Sequence, residues 1–287
     1  MRKNILRNVL LSFATIGAFT SLVSCNKANE ENSNTLVIGL ECNYAPFNWT
    51  LASANDYTLP ISNYANQYAD GYDIQFAKRA GKELGMDVKI VKMEWDNLIP
   101  QLNQGEINCI IAGMTDTEER RQSIDFTNEY YRSELVLITN KSVSSQYEGQ
   151  TLGSDTLQTL LNGKGLESQI QTVTNDVLET FSKNYGAIHL TAVNNFSTAA
   201  SDVSAGSAFA MTAELPVAQA IVAANSNLGI VHINQDVLGL DLKELGVSIG
   251  IKKGNTLLAD RLNSVLANFK LEDRNALMAA AVSRSGE

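Results

Sequence analysis

Segments with the pattern of buried strands alternate along this chain with segments of helical spacing, and this alternation limits the possible folds most. The run LVIGLE at 36–41 is apolar until its last residue, as in a buried strand. The run DIQFAKRAGKELG at 73–85 has apolar residues at helical spacing between Asp73 and Gly85, which suit the two ends of a helix. Because alternating strands and helices build sheets of parallel strands, the sequence predicts an α/β fold.

An extended run, YYRSELVLIT at 130–139, separates a first strand and helix series from a second. The strand-like run LGVSIGIKKGN at 245–255 follows the second series, and two amphipathic helical segments end the chain. Two α/β lobes joined by two extended crossovers explain this order best. The predicted boundaries are 35–130 and 246–287 for lobe 1, 135–240 for lobe 2, and crossovers near 130–134 and 241–245.

The N-terminal 24 residues have the pattern of a bacterial lipoprotein signal peptide. A basic start, MRKNILR, precedes the run NVLLSFATIGAFTSL, which is short for a bilayer span, and LVSC ends the pattern. We expect cleavage before Cys25 and acyl chains on this residue, although an ordinary secretory cleavage site is the alternative. Residues 25–34 would form a polar tether. The protein is then expected on the extracytoplasmic face of the cell membrane, anchored by lipid.

The charge balance argues against a nucleic-acid partner. The 287 residues are 44% apolar and 18% charged, a normal composition for folded domains, and their formal charge is −9. Removing residues 1–24 takes away three basic residues and no acidic residue, so the charge becomes −12. A chain this acidic lacks the basic surface that binds phosphates.

Two cysteines, Cys42 and Cys109, remain after the signal peptide. A disulfide between them is conceivable outside the cell. However, Cys42 ends one predicted strand and Cys109 begins another, which places them at opposite ends of a parallel sheet. We therefore expect two free thiols.

Charged and aromatic residues follow several of the predicted strands. Ligands of open α/β sheets bind beyond the carboxyl ends of the strands, so these residues are candidates for a binding site. Both signs of charge and two aromatic types are present, a combination that suits a zwitterion better than a core. The candidates are 41–44, Trp95, 113–120, 169–172 and Glu214.

Two arginines stand at the start of the helix predicted after the run CIIAGMTDT. One interpretation is a solvated helix face on which Glu118 and Glu119 offset Arg120 and Arg121. The other is an anion site, because a helix N-terminus, hydroxyl groups and a guanidinium together favour an anionic ligand. The local sequence leaves both interpretations open.

Four segments together resemble the bacterial extracellular solute-binding proteins of family 3, the polar amino-acid receptors of ATP-binding-cassette (ABC) importers. These segments are LVIGLECNYAPFNW, GYDIQFAKRAGKELG, WDNLIPQLNQGEINCIIAGMTDTEERRQSIDFTNEYY and GVSIGIKKGN. The resemblance runs from about residue 35 to the end of the chain. It implies a two-lobed periplasmic-binding-protein fold of type II, with two hinge crossovers and a central ligand cleft. A free amino acid and membrane permease subunits are the implied partners, and we expect a monomer without metal or cofactor.

The resemblance assigns the carboxylate site to the segment after the predicted strand INCIIAG. Arg120 corresponds to the arginine that holds the ligand α-carboxylate, which a guanidinium binds through two parallel hydrogen bonds. Arg121 is then expected to be solvated. The other binding residues implied in this segment are Gly113, Met114 and Thr115.

The resemblance also places residues around the ligand side chain. Tyr44 and Trp95 correspond to aromatic residues on either side of it, and their polar atoms suit such a position. Phe47 is expected in the core instead. Glu41 corresponds to an acidic position that faces the ligand side chain in relatives selecting basic amino acids or glutamine.

In the second lobe the family pattern is met only in part. Gln169 and Thr172 match the segment Q-x-G-T, but Gln171 stands where glycine is usual. Glu214 takes the place of the commoner aspartate that pairs with the ligand ammonium, and Pro216 keeps the spacing. The residues 50–70, rich in Asn and Tyr, are predicted to be a surface loop.

Two other classes of function stay open. Folds similar to family 3 also occur as dehydratases and as lobes of cell-wall lyases, so an enzyme is one alternative. A ligand-sensing or adhesion lipoprotein is another. We expect no enzyme, because the sequence contains no metal cluster, nucleophile elbow or phosphate loop. His189 and His232 lie on predicted strands of lobe 2 and are expected to be structural.

Overall fold

The computed structural model describes residues 34–241 and 245–286 of the chain. The predicted signal peptide, the lipidation site Cys25 and the tether up to residue 33 lie outside the described residues, as does the centre of the crossover predicted at 241–245. Within the described part, none of the helices is long and apolar enough to cross a membrane.

Strands and helices alternate through the described chain. Its first elements are β1 (Thr35–Leu40), β2 (Asn43–Tyr44), β3 (Asn48–Leu51), β4 (Leu59–Pro60), β5 (Tyr68–Asp70), α1 (Tyr72–Leu84), β6 (Asp87–Lys92), α2 (Leu98–Gln104), β7 (Cys109–Ile110), α3 (Glu118–Arg121) and β8 (Ile124–Arg132). They are followed by β9 (Leu135–Asn140), α4 (Lys141–Ser144), β10 (Thr151–Leu152), α5 (Ser154–Leu161), β11 (Gly165–Glu167), α6 (Val173–Tyr185), β12 (Ile188–His189), α7 (Phe196–Ala205), β13 (Ala210–Glu214), α8 (Leu215–Ala224) and β14 (Leu228–Ile233). The last elements are β15 (Gly246–Lys252), α9 (Thr256–Ala267) and α10 (Leu271–Ser285).

The sheet of lobe 1 has five strands in the order β6-β1-β7-β15-β8. β1 pairs in parallel with β6 and β7, as the alternation predicts, but β15 is antiparallel to both β7 and β8. The prediction of parallel strands is therefore wrong at β15, which lies between β7 and β8. A parallel neighbour needs a crossover within the same sheet, whereas β15 enters this sheet from the other lobe.

The sheet of lobe 2 has six strands in the order β10-β14-β9-β13-β11-β12. Here β9 is antiparallel to both of its neighbours, β13 and β14, and it is the strand through which the chain enters this lobe. The chain passes from one sheet to the other between β8 and β9 and returns between β14 and β15. The predicted two-lobed α/β fold is confirmed.

Residues 50–70, predicted to be a surface loop, instead contribute to a third, four-stranded sheet in the order β2-β3-β5-β4. The loop prediction is wrong for these short strands, because pairs such as Leu59–Pro60 against β5 give no periodic signal in the sequence. The residues between the strands are mostly exposed. Arg284 of α10 holds this sheet to lobe 1 through two hydrogen bonds to Asp70, of 2.9 and 3.0 Å.

The apolar residues of α1 lie in the core of lobe 1, and the helix ends at Gly85, whose φ of 65° is left-handed. Phe47 is fully buried and packs edge-on against Tyr72, so its predicted place in the core is confirmed. Cys42 and Cys109 are buried free thiols, as expected. This packing leaves the residues beyond the strand ends to form the surface between the lobes.

Candidate functional site

Several side-chain contacts join the two lobes at the ends of their strands. Three of them pair a residue at or after a strand end of lobe 1 with a residue at or after a strand end of lobe 2. The pairs are Glu41 with Gln169, Tyr44 with Glu214, and Arg120 with Gln171. Residues far apart in the sequence thus converge where open α/β sheets bind ligands.

Arg120 lies in the single turn of α3, and its guanidinium points back toward the strand end. Its Nη1 atom donates to the carbonyl oxygen of Thr115 at 2.7 Å, and its Nη2 atom donates to that of Gln171 at 2.9 Å. The guanidinium carbon is 5.3 Å from the ring centre of Trp95, which is cation–π distance. Burial lowers the pKa of Arg120 to about 10, which still leaves the group charged at neutral pH.

The two arginines of α3 have different surroundings. Arg121 is exposed and forms an ion pair with Asp116, while the hydroxyl of Thr117 accepts a hydrogen bond from the backbone N–H of Arg120. The interpretation as a solvated face therefore fits Arg121. Arg120 faces the opposite lobe and is available to an anion in the cleft.

Glu41 follows β1 and is 7% exposed. Its Oε1 atom accepts a hydrogen bond of 3.0 Å from Nε2 of Gln169, whose amide also donates to the carbonyl oxygen of Asn194 at 2.9 Å. Burial raises the pKa of Glu41 to about 7, and Glu94 and Asp96 add to the effect while the amide of Gln169 opposes it. A cation placed beside this carboxyl would favour its ionised form.

Tyr44 and Glu214 form the second contact between the lobes. The hydroxyl of Tyr44 donates to Oε2 of Glu214, which stands at the end of β13 and just before α8. Burial raises the pKa of the Glu214 carboxyl, against the effect of the Tyr44 hydrogen bond and the charge of Arg120. The Tyr44 ring packs between Phe47 and Phe196, with ring centres 5.3 and 4.9 Å away.

These residues enclose one small cavity of about 20 Å³, a volume on the scale of a single water molecule. The lobes are therefore packed closely around it. It is lined by all but one of the ten predicted binding residues, namely Glu41, Tyr44, Trp95, Gly113, Thr115, Arg120, Gln169, Thr172 and Glu214. The sequence prediction thus selected residues that the fold brings together.

Met114 is the predicted residue that does not line this cavity. It lines a neighbouring, wider cavity of about 470 Å³, to which Trp95 and Arg120 also contribute. Asp96, Glu119 and Asp176 stand at the border of this second cavity. Trp95 and Arg120 therefore line both cavities, and the wider one also has three acidic residues in its lining.

The segment around Gln171 has a backbone conformation that suits glycine. Its φ is 60°, in the left-handed region that residues other than glycine rarely adopt, which explains why glycine is usual here. The carbonyl oxygen of Gln171 accepts hydrogen bonds from Trp95 at 3.2 Å and from Arg120. Thr172 then begins α6, and its hydroxyl accepts from the backbone N–H of Asn175.

Three further residues line the small cavity and were missed in the sequence, namely Val173, Thr174 and Phe196. Val173 and Thr174 directly follow Thr172 at the start of α6, so their position in the first turn of a cleft helix was the available signal. Phe196 begins α7 after the N-cap Asn195, a position that sequence patterning does not connect to Tyr44.

Each of the two histidines lies beside a polar side chain. Nε2 of His189 is 3.1 Å from the side-chain oxygen of Asn175, and Nδ1 of His232 is 3.0 Å from a carboxylate oxygen of Glu134. Over residues 34–241 and 245–286, no three His, Cys, Asp or Glu side chains are grouped to hold a metal ion. The residues of the cavity offer charges and hydrogen bonds for a small zwitterion.

Comparisons with known proteins agree on one family. The model of the "Bacterial extracellular solute-binding proteins, family 3" matches residues 36–279. A "Probable histidine-binding protein" of Campylobacter jejuni is 34% identical over 155 residues, 49% of this chain and 55% of the relative. The "ABC transporter arginine-binding protein 1" of Escherichia coli is 24% identical over 275 residues, 95% of each chain. The chain thus spans about half the length of the first relative and nearly all of the second.

A solved structure shares the architecture. An amino acid ABC transporter substrate-binding protein, AbpA of Streptococcus pneumoniae bound to L-arginine, has a TM-score of 0.71 and 22% identity, with 88% of this chain and 97% of that chain covered. At this identity the likeness concerns the fold alone. The two-lobed type II architecture predicted from the sequence is confirmed.

Proposed function

Since this chain belongs to the bacterial extracellular solute-binding proteins of family 3, we propose that it captures a polar amino acid for an ABC importer. An amino acid with a cationic side chain is the favoured ligand. The observation that carries this proposal is one small cavity between the lobes, lined by one guanidinium, Arg120, and two carboxyl groups, Glu41 and Glu214.

The charges of the cavity match an amino acid with a cationic side chain. The α-carboxylate of the ligand pairs with Arg120 and its ammonium pairs with Glu214, which leaves Glu41 for the side chain. A buried carboxylate without a partner is costly, because it loses its hydration. A guanidinium or ammonium group on the ligand replaces that hydration, and an amide group does so in part.

Aromatic groups supply the apolar part of the same site. Trp95 and Tyr44 line the cavity together with Phe196. Their rings can cover the methylene groups of a long side chain, while the ring of Trp95 already holds a guanidinium at cation–π distance. A ligand that combines a hydrocarbon chain with a terminal cation fits this lining.

Binding would stabilise the closed arrangement of the two lobes, in which Glu41, Tyr44 and Arg120 contact lobe 2. Arg120 belongs to lobe 1 and Glu214 to lobe 2, so one zwitterion reaches both groups only when the cleft is shut. We assign the hinges to 130–134 and 241–245, with lobe 1 at 35–130 and 246–287 and lobe 2 at 135–240. The contact of Arg120 with the Gln171 carbonyl would give way to the ligand carboxylate, which is the stronger acceptor.

The same proposal includes attachment of the protein to the membrane and permease subunits as its partners. The family is extracellular by description, which supports an extracytoplasmic location. Acyl chains on Cys25 would hold the monomeric protein beside permease subunits. Mass spectrometry of the native N-terminus tests this: acylated Cys25 is expected, and an unmodified N-terminus at another residue contradicts the anchor.

We assign no catalytic activity to the chain. The two relatives compared above carry the names of binding proteins, which supports capture without chemistry. Chromatography of the amino acid after prolonged incubation with the protein should recover it unchanged. A product that appears in proportion to protein concentration would favour the enzyme alternative.

Thermal denaturation with each of the twenty amino acids tests the ligand class. A ligand that binds only the folded state raises the melting temperature, and at about one hundred times its Kd the stabilisation is about 2.7 kcal/mol. We expect the largest shifts with arginine or lysine. Equal melting temperatures with all twenty amino acids would contradict the proposal.

A further inference from the structure

Asp73 is a fully buried acid of lobe 1 that does not line the cavity. Its Oδ1 atom accepts a hydrogen bond of 2.6 Å from the hydroxyl of Tyr130, and its Oδ2 atom accepts one of 2.8 Å from the amide of Asn48. Burial raises the pKa of Asp73 to about 7, against the effect of these two donors and of the nearby backbone N–H of Gly113. Burying such a group costs free energy, and acids with a shifted pKa are concentrated at functional sites.

On one side the Asp73 contacts reach the chain that follows β1. The side-chain oxygen of Asn48 accepts a hydrogen bond of 2.7 Å from the backbone N–H of Cys42, the residue after Glu41. Cys42 has a φ of 55°, so the chain turns sharply here between Glu41 and Tyr44. Asn48 therefore holds the turn from which both cavity side chains project.

On the other side the contacts reach the chain that follows β7. The hydroxyl of Tyr130 accepts a hydrogen bond of 2.9 Å from the backbone N–H of Gly113. Gly113 has a φ of 61°, and a Cβ atom added there would lie 2.8 Å from the ring of Tyr44. The backbone at Gly113 thus lies directly against an aromatic wall of the cavity, two residues before Thr115.

When Asp73 is ionised, as it mostly is above its pKa of about 7, its charge fixes the direction of the hydrogen bonds in this chain of contacts. An ionised carboxylate only accepts, so Tyr130 must donate to Asp73 and keeps its oxygen lone pairs for Gly113. Asn48 must likewise turn its NH₂ group to Asp73, which leaves its oxygen for Cys42. We name the set Asn48, Asp73 and Tyr130 the Asp73 relay.

We propose that the Asp73 relay positions the two strand ends of lobe 1 for the amino-acid ligand, with Asp73 and Tyr130 as positioning residues rather than ligand contacts. The inference rests on the proposed function, because it concerns the affinity of that site. It assigns to the buried acid a role in binding that is separate from its contribution to stability.

The Asp73→Asn variant tests the direction of the hydrogen bonds. The introduced amide has one accepting oxygen in place of two, so Asn48 and Tyr130 cannot both keep an acceptor at position 73, and either the Tyr130 hydroxyl or the Asn48 amide must turn away from its present partner. Calorimetric titration with L-arginine and L-glutamine should show affinity weakened about tenfold or more, the scale of a lost hydrogen bond to a charged group.

The double variant Asp73→Asn with Asn48→Asp supplies the rescue. Exchanging the two side-chain types reverses the bond between positions 48 and 73, while position 48 still accepts from Cys42 and position 73 still accepts from Tyr130. We expect the affinity to return to within about threefold of the wild type. A loss of affinity that came only from poorer packing or lower stability would not be reversed by this exchange.

Tyr72→Phe is the matched control. The hydroxyl of Tyr72 is buried in the same cluster and donates to the carbonyl oxygen of Tyr130 at 2.8 Å, outside the relay. This variant should lower the melting temperature and leave the affinity within about twofold, since it removes one neutral hydrogen bond. Tyr130→Phe removes the relay hydroxyl itself and should weaken binding about tenfold or more.

The outcomes separate this inference from the proposed function. A wild-type protein that binds none of the twenty amino acids overturns the proposed function and the inference with it. If the wild type binds and folded Asp73→Asn or Tyr130→Phe binds equally well, the inference alone is wrong. A folded exchange variant that stays as weak as Asp73→Asn also overturns it. Where Asp73→Asn does not fold, the comparison of Tyr130→Phe with Tyr72→Phe decides.

Discussion

Gln169 of lobe 2 donates a hydrogen bond of 3.0 Å to the carboxyl of Glu41 in lobe 1, across 128 positions of sequence. The amide is an uncharged donor, so it satisfies one oxygen of this buried carboxyl without neutralising a charge. Burial accordingly raises the pKa of Glu41 to about 7. A cationic ligand group beside Glu41 would supply the charge that the amide lacks.

The affinity for lysine or arginine should therefore fall at acidic pH. Both ligands keep their side-chain charge between pH 8 and pH 6, whereas the carboxyl of Glu41 becomes protonated below its pKa of about 7. A cation binds the ionised form and releases the proton, so affinity should decrease about tenfold or more between pH 8 and pH 6, since protonation of Asp73, whose pKa is also about 7, acts in the same direction. Calorimetry at several pH values measures this.

Glu41→Gln is the control for the pH dependence. The variant should bind arginine more weakly at pH 8, and its affinity should change less between pH 8 and pH 6 than that of the wild type. Glu94 and Asp96 also raise the pKa of Glu41 and remain in the variant. An unchanged pH profile in Glu41→Gln would show that another group is responsible.

Replacing Arg120 by alanine should abolish tight amino-acid binding. The ligand carboxylate would lose a charged, hydrogen-bonding partner, which costs about 1.5 to 3 kcal/mol or more. Arg121→Ala is the neighbouring control, because Arg121 is exposed and paired with Asp116, and its affinity should stay within about twofold. Equal affinities for the two folded variants would remove Arg120 from the site.

Much of this arrangement was predictable from the sequence. The sequence predicted Glu41, Trp95 and Arg120 as site residues, because the alternation of strands and helices determines which residues lie beyond each strand. The antiparallel pairing of the interior strands β9 and β15 was not predictable, since local pattern does not reveal which sheet a strand joins. Phe196 was missed for a similar reason: it meets Tyr44 only through the packing of the two lobes.

Gln171 shows what a departure from the family pattern costs. Its φ of 60° would suit glycine without strain, and a side chain in this conformation costs about 1 to 3 kcal/mol. Glycine also raises the entropy of the unfolded chain, which offsets part of the gain. We expect Gln171→Gly to have a melting temperature equal to or above that of the wild type.

Gln171→Val is the contrasting variant at this position. A β-branched side chain is strongly disfavoured at positive φ, so the melting temperature should fall below that of both Gln171→Gly and the wild type. Differential scanning calorimetry compares the three proteins. Equal stability of the valine and glycine variants would show that the left-handed backbone is not maintained in solution.

Ligand should also change the average separation of the lobes. Small-angle scattering should give a smaller radius of gyration at saturating ligand, because Arg120 and Glu214 lie in different lobes and bind one molecule together. The Arg120→Ala variant at the same ligand concentration should show no compaction. An equal radius of gyration for wild type with and without bound ligand would argue against closure as the binding step.

The most direct measurement is calorimetric titration of the wild-type protein at pH 8 with L-arginine, L-lysine, L-glutamine and L-glutamate. The cavity charges of Arg120, Glu41 and Glu214 predict that arginine or lysine binds most tightly and that glutamate binds at least about tenfold more weakly, because its side-chain carboxylate would face Glu41. Glutamate binding as tight as arginine would contradict the ligand class, and absence of binding by all four would contradict the account of the site.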